Sequence, residues 1–252
     1  MRVIVTGASS GIGRAVCEHL LAAGHQVVGV SRRGSPLAST TGTFHPWALD
    51  LADLPHLPAR LEPLAAVHPA LEALVCCAGA GRFGGLEQFN HAQIRQLVDL
   101  NFTGQAFLVR SLLPALKRAG HATLVFVGSE AGRRGRRRGA IYCATKFALR
   151  GFAEALREEL ASSGIRVCLV NPGMVRTPFY DGAGFAPRPG AEHALQPTEV
   201  AQVVTQVITA RSGIVFDEVY LTPLTHAVDF TPSRPRPQEV DPCLDAKPGE
   251  AV

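Results

Sequence analysis

No apolar run in this 252-residue chain is long enough to cross a membrane. The first strand-like segment opens at residue 2, so neither a spanning helix nor a secretory leader is expected. The six cysteines, Cys17, Cys76, Cys77, Cys143, Cys168 and Cys243, lack the short paired spacings of a metal site. Scattered through strands, helices and tail, they read as reduced thiols, and the expected compartment is the cytoplasm, with no membrane partner. No internal repeat and no interdomain linker interrupts the chain. Neither sign of charge dominates: 25 Lys and Arg against 21 Asp and Glu leave a modest net charge of +4.

What is present is an alternation. Short continuous apolar runs at Val27–Val30, Ala73–Cys77, Thr123–Val127 and Val167–Val170 suit central parallel strands covered on both faces. Helix-length stretches separate them, among them Arg14–Ala23, Ala92–Leu100, Gln105–Leu116 and Ala144–Ser162. A last strand is expected near Ile214–Leu221. A chain of this length can bury a substantial core without dividing. The expected fold class is therefore α/β, one doubly wound, Rossmann-like parallel sheet with helices on both faces. The domain is expected to cover residues 1–230. From Thr231 onward the spacing of Pro232, Pro235, Pro237, Pro242 and Pro248 suits neither helix nor central strand. Residues 231–252 are expected to form a tail, mobile or lying as an arm on a neighbouring subunit.

The strand-like Arg2-Val3-Ile4-Val5 runs into Thr6-Gly7-Ala8-Ser9-Ser10-Gly11-Ile12-Gly13 and then a helical stretch. Strand, glycine-rich turn and helix in that order let a backbone approach a pyrophosphate closely and offer it a helix N-terminus. The spacing is G-x-x-x-G-x-G, not the standard G-x-G-x-x-G, so a plain tight turn is the alternative. The next strand ends in Ser31-Arg32-Arg33, where an NAD site usually places an acid for the ribose hydroxyls. Guanidinium groups there suit the extra phosphate of NADP; two solvated arginines are the other reading. NADP(H) is expected in preference to NAD(H).

Tyr142 and Lys146 are spaced to share one face of a helix, and Ser129 precedes them. A phenol is a poor acid, with an ordinary pKa near ~10. A nearby ammonium would favour its ionisation, and a serine hydroxyl could hold a substrate oxygen while the phenol moves the proton. That combination suits interconversion of an alcohol and a carbonyl. Alone, a Y-x-x-x-K pair also occurs on ordinary amphipathic helices.

Over roughly residues 2–221 the chain resembles the short-chain dehydrogenase/reductase family. The resemblance rests on motifs in family order: the Thr6–Gly13 turn, Asp50-Leu51, Cys76-Cys77-Ala78-Gly79, Asn101, Ser129, Tyr142 with Lys146, and Asn171-Pro172-Gly173-Met174-Val175-Arg176-Thr177. It implies an oxidoreductase moving a hydride between nicotinamide and a small carbonyl or secondary alcohol substrate. Tyr142 would be the general acid/base, and Ser129 would orient the substrate oxygen. Lys146 would bind the nicotinamide ribose and depress the Tyr142 pKa. Asn101 would hold a proton-relaying water, and both it and Tyr142 would also border the cofactor. Gly7, Ser9, Ser10, Gly11, Ile12 and Gly13 would cradle the phosphates, and Ser31, Arg32 and Arg33 the ribose end. Asp50 and Leu51 would meet the adenine, Ala78 and Gly79 would border the cofactor, and Pro172, Gly173, Val175 and Thr177 would secure the nicotinamide. A homodimer or homotetramer, paired through the helices at Gln105–Leu116 and Ala144–Ser162, is the family default. The rival reading is a catalytically silent NADP(H) sensor or partner-binding protein of the same fold.

The chain departs from the family at Cys76-Cys77, where two asparagines are usual; small thiols should keep the fold but weaken cofactor binding or sensitise the site to thiol reagents. An arginine run, Arg133-Arg134-Gly135-Arg136-Arg137-Arg138, lies between Ser129 and Tyr142. It reads as a solvated loop, a clamp for an anionic substrate or a nucleic-acid patch. No aromatic stacking platform adjoins it, so no nucleic-acid partner is expected. Phe179, Tyr180 and Phe185 fall in a segment that the resemblance makes a lid over the substrate, ending near Gln196. The usual Asp-Gly-Gly is missing from the last strand.

Overall fold

The computed structural model describes residues 1–39 and 41–230. The proline-rich tail, and Cys243 with it, lies outside the described residues.

β1 (Arg2–Thr6) passes through the glycine turn into α1 (Gly11–Ala22), followed by β2 (Gln26–Ser31) and β3 (Thr43–Ala48). Then come α2 (Leu57–Val67), β4 (Ala73–Cys76), α3 (His91–Val98) and α4 (Gly104–Arg118). The second half contains β5 (Ala122–Val127), α5 (Ala140–Leu160), β6 (Ile165–Pro172), β7 (Phe185–Pro187), α6 (Pro197–Thr209), β8 (Glu218–Leu221) and β9 (Val228–Phe230). The sheet is parallel, as the alternating pattern predicts, and its seven strands run in the order β3-β2-β1-β4-β5-β6-β8. β7 and β9 form a separate antiparallel pair.

Burial follows position in the sheet. Every residue of β4 and β5 is buried, because helices cover both faces there. On one face α2, α4 and α5 pack Leu57, Leu61, Leu64, Leu108, Leu112 and Leu149 against the sheet; on the other, α1 and α6 contribute Val16, Leu20, Val200 and Val204. Each such side chain contributes ~1.5–3 kcal/mol by leaving water. β3 is an edge strand: it is largely exposed and carries Pro46, which an edge tolerates.

Some boundaries differ from expectation. The helix expected from Ala144 begins at Ala140, bringing Tyr142 into its first turn. The stretch Ala92–Leu100 divides into α3 and a π-helical turn, Asp99–Thr103, that runs directly into α4. The last strand of the parallel sheet covers Glu218–Leu221 only. Residues 211–214 turn instead, with Ile214 N–H donating to the Arg211 carbonyl. The Arg166 guanidinium fastens this turn through the carbonyls of Ala210 at 2.8 Å and Arg211 at 3.1 Å.

The sheet order reverses between β1 and β4, whose outward crossovers leave a crevice beyond the strands' C-terminal ends. The glycine turn, Ser31–Arg33, Asp50–Leu51, Ala78–Gly79 and Pro172–Thr177 all lie at the ends of β1, β2, β3, β4 and β6.

Candidate active site

The crevice begins with a cradle of backbone. Gly7 has φ +71°, and a Cβ on Gly13 would stand 2.4 Å from the Gly7 carbonyl oxygen, so only glycine lets α1 approach β1 this closely. Ser10 caps α1 without a side-chain hydrogen bond, and the first turn contains no acid. The amides of Gly11, Ile12 and Gly13 at the helix start therefore lack a carboxylate competitor and favour an anion. Thr177 closes the turn from the far side: its Cγ2 would lie 3.2 Å from a Cβ on Gly11.

Ser31 is buried at the end of β2, whereas Arg32 and Arg33 are exposed and have no ion-pair or hydrogen-bond partner among the described residues. Asp50 uses Oδ1 to accept from Ala52 N–H at 2.9 Å, closing the turn after β3. Leu51 is buried beneath it. Gly173 N–H donates to the Leu221 carbonyl at 2.7 Å, and Val175 is buried. A glycine cradle, an acid-free helix start and two unpaired arginines fit a phosphate-bearing dinucleotide.

Cys76 and Cys77 are free thiols, and burial raises both pKa values. The adjoining strand end is fastened through the main chain instead. Thr6 Oγ1 accepts from Cys77 N–H at 3.1 Å and Ala78 N–H at 3.0 Å, stapling β1 to β4. Gln105 Nε2 donates to the carbonyls of Ala78 at 2.8 Å and Asn101 at 3.1 Å.

Asn101 sits in the π-helical turn, fully buried. Its Oδ1 accepts from Ala80 N–H at 2.9 Å, and its Nδ2 donates to the Ala80 carbonyl at 3.0 Å and Thr145 Oγ1 at 3.1 Å. Both amide protons are thus engaged by protein, fixing the loop after β4 against α5.

Ser129 follows β5 and is positioned by Asn171, whose Oδ1 accepts from Ser129 N–H at 3.1 Å. Tyr142, only 7 % exposed, stands beside the Ser129 hydroxyl. Lys146 lies one turn further along α5, its Nζ 5.9 Å from the Tyr142 ring centroid and 3.0 Å from the Val127 carbonyl, to which it donates. Ser129, Tyr142 and Lys146 are therefore brought together, the last two as their helical spacing predicts and Ser129 as the resemblance implies. The electrostatics differ from expectation. Burial pushes the Tyr142 phenol above its ordinary value, and the Ser129 hydroxyl is the influence that pulls it down. Burial also lowers Lys146 to about 8. The protein alone does not give Tyr142 the depressed pKa expected from its lysine neighbour: desolvation is the largest influence on the phenol and raises it.

An aromatic cover closes over the phenol. The Phe83 ring centroid lies 5.3 Å from that of Tyr142, and the Phe179 centroid 5.7 Å. Phe185, from β7, stands 5.0 Å from Phe83 and 5.6 Å from Tyr180. The expected lid segment thus does reach the site. It is held from outside by a return of the chain: β9 pairs with β7, and Arg188 Nε contacts Asp229 Oδ1 at 3.1 Å.

Gln105, Thr145 and Phe83 contribute to the site without belonging to any motif. Gln105 and Thr145 are fully or nearly fully buried polar residues on helices, the one local sign that they serve neighbours. Phe83 has no local sign, since its meaning depends on meeting Tyr142 across sequence.

A family profile described as "short chain dehydrogenase" matches residues 1–184. An oxidoreductase of Staphylococcus epidermidis is 27% identical over 225 residues, covering 88% of this chain and 96% of its own. An NADP-dependent 3-hydroxy acid dehydrogenase of Schizosaccharomyces pombe is 28% identical over 239 residues, covering 88% and 92%. Among solved structures, the closed form of a serine dehydrogenase complexed with NADP+ superposes with a TM-score of 0.78 at 26% identity, covering 90% of this chain and 96% of that one. With the fold, the motif order and the profile in agreement, the chain belongs to the short-chain dehydrogenase/reductase family of oxidoreductases.

Proposed function

We propose that the protein is an NADP(H)-dependent reductase acting on a ketone or aldehyde, or in reverse on the corresponding alcohol. The observation that carries this reading is the meeting of Ser129, Tyr142 and Lys146 beneath an aromatic cover. Bound nicotinamide supplies or accepts the hydride; the protein's part is binding, orientation and proton traffic. Gly7, Ser9, Ser10, Gly11, Ile12 and Gly13 hold the phosphates. Arg32, with Arg33, binds the additional phosphate of NADP. Asp50, Leu51, Ala78 and Gly79 border the adenosine side, and Pro172, Gly173, Val175 and Thr177 the nicotinamide side. The relatives named NADP-dependent or solved with NADP+ support that choice.

Ser129 fixes the substrate oxygen. Tyr142, held protonated near neutrality by burial, is in the donor form that reduction requires. Lys146, lowered to about 8, holds a proton that it can release near working pH, and so replenishes the site. Asn101 braces the loop after β4 against α5, keeping Lys146 beside the crevice. Phe83, Phe179 and Phe185 form the apolar wall. Exposed Phe147 on α5 supports homodimer or homotetramer formation through α4 and α5. The free cysteines support a reducing, cytoplasmic setting for the domain of residues 1–230.

Fluorescence titration with NADPH and NADH, followed by a panel of ketones, aldehydes and oxo acids, tests the proposal. NADPH should bind about tenfold more tightly than NADH, a difference of ~1.4 kcal/mol, and at least one carbonyl compound should be reduced. Failure of both nucleotides to bind would overturn it, and tight NADPH binding with no turnover would favour the silent sensor.

A further inference from the structure

The arginine run lies in the segment that joins β5 to α5, between Ser129 and Tyr142, and its members differ in how they are held. Arg133 lies over the Tyr220 ring, 5.3 Å from its centroid, and Arg136 pairs with Glu130 at 3.2 Å. Those two contacts pin the loop. Arg134, Arg137 and Arg138 are exposed and have no side-chain partner among the described residues.

Arg138 is set apart further. It is the one non-glycine residue with positive φ among the described residues, at +59°. A β-carbon makes this conformation costly, although Gly135 and Gly139 stand nearby in sequence. Its carbonyl accepts from Gly84 N–H at 2.7 Å, joining the loop to the segment Arg82-Phe83-Gly84. Phe83 has the ring centroid nearer to that of Tyr142, at 5.3 Å against 5.7 Å for Phe179. Arg82 is also exposed and unpaired among the described residues. The tie therefore brings two unpaired guanidinium-bearing residues to the edge of the aromatic wall that covers the reacting phenol. Glu87, the acid of the neighbouring turn, forms no salt bridge with either of them among the described residues.

We propose that Arg82 and Arg138 form an anion-binding rim, and that the substrate is amphipathic. Its carbonyl or alcohol carbon lies at Ser129 and Tyr142, an apolar stretch runs along Phe83 and Phe179, and a carboxylate or phosphate meets the rim. This inference rests on the reductase reading. Guanidinium suits either anion because its planar fork can donate two hydrogen bonds at once.

The test uses the full chain with NADPH and matched ketones of equal carbon skeleton, one neutral and one ending in a carboxylate, with a phosphate-ended analogue to distinguish the two anions. In the unaltered protein kcat/KM should favour an anionic ketone by about 10-fold or more at low salt, and the preference should shrink as salt rises. In Arg82→Gln/Arg138→Asn, where asparagine tolerates the left-handed backbone, the ratio should fall about 10-fold. Arg133→Gln, which removes one positive charge at a pinned position of the same loop, should leave the ratio in place. Turnover of both ketones without a charge preference, or a ratio that survives the double variant, overturns the rim. If no ketone is reduced, the reductase reading fails alone, and calorimetry with hexanoate and hexan-1-ol decides the rim. Hexanoate should then bind more tightly than hexan-1-ol, through Arg82 and Arg138 and independently of Arg32→Gln. Equal binding of the two probes, or no effect of the double variant, overturns the proposal.

Discussion

Lys146 Nζ donates to the main-chain carbonyl of Val127, the last residue of β5, at 3.0 Å. The bond ties the helix that carries Tyr142 to the strand end that leads into Ser129. It also holds an ammonium 6 % exposed with little compensating charge, which is why burial lowers Lys146 to about 8.

That lowering makes stability depend on pH. An unfolded lysine keeps its ordinary value of 10.5, so between about 8 and 10.5 the unfolded chain binds the extra proton. Raising pH through this window therefore favours the folded state, and the penalty is complete below about 8. It amounts to roughly 3–4 kcal/mol. Lys146→Met should be more stable than the unaltered protein at pH 7.5, with the gap narrowing by about 1 kcal/mol between pH 8 and pH 9. Urea unfolding of both proteins at each pH measures this; a gap independent of pH would show that Lys146 keeps its ordinary pKa.

The exposed and unpaired Arg32 should discriminate between the cofactors. Arg32→Gln is expected to weaken NADPH binding about 10-fold, equivalent to ~1.4 kcal/mol, and to change NADH binding less than about 2-fold. Fluorescence titration of the two nucleotides reads the difference directly. Equal weakening of both would place Arg32 away from the extra phosphate.

Gly13 faces the Gly7 carbonyl with no room for a β-carbon. Gly13→Ala must displace α1 from β1, at a cost of ~1–3 kcal/mol, and widen the phosphate cradle. Tm should fall by roughly 3–10 °C and NADPH affinity should drop with it. Gly135→Ala is the control, since nothing lies within 4 Å of a β-carbon there. A Gly13→Ala protein with unchanged Tm and affinity would contradict the cradle.

Much of this arrangement was legible in the chain because it is local or periodic. β4 and β5 show as continuous apolar runs, since both faces are buried, and the Thr6–Gly13 turn announces itself through glycine. β3 was harder to read, as an exposed edge strand carries neither a continuous apolar run nor clean alternation. α2 contains Pro63, which obscures its helical period. At the site, the pairing of Tyr142 with Lys146 follows from helical spacing and Ser129 from the resemblance to the family, whereas the rise of the Tyr142 pKa depends on how deeply α5 is packed. The pairing of β7 with β9 escaped because two three-residue strands acquire meaning only from each other.

Turnover by Tyr142→Phe tests the central claim most directly. The substitution keeps the ring that packs against Phe83 and Phe179 and removes only the hydroxyl beside Ser129. NADPH affinity should change less than about 3-fold, while kcat for any ketone reduced by the unaltered protein should fall by ~10²–10⁴-fold, the range expected for loss of a general acid. Undiminished turnover in the phenylalanine variant would contradict the assignment of the proton to Tyr142, and with it the proposed chemistry of the site.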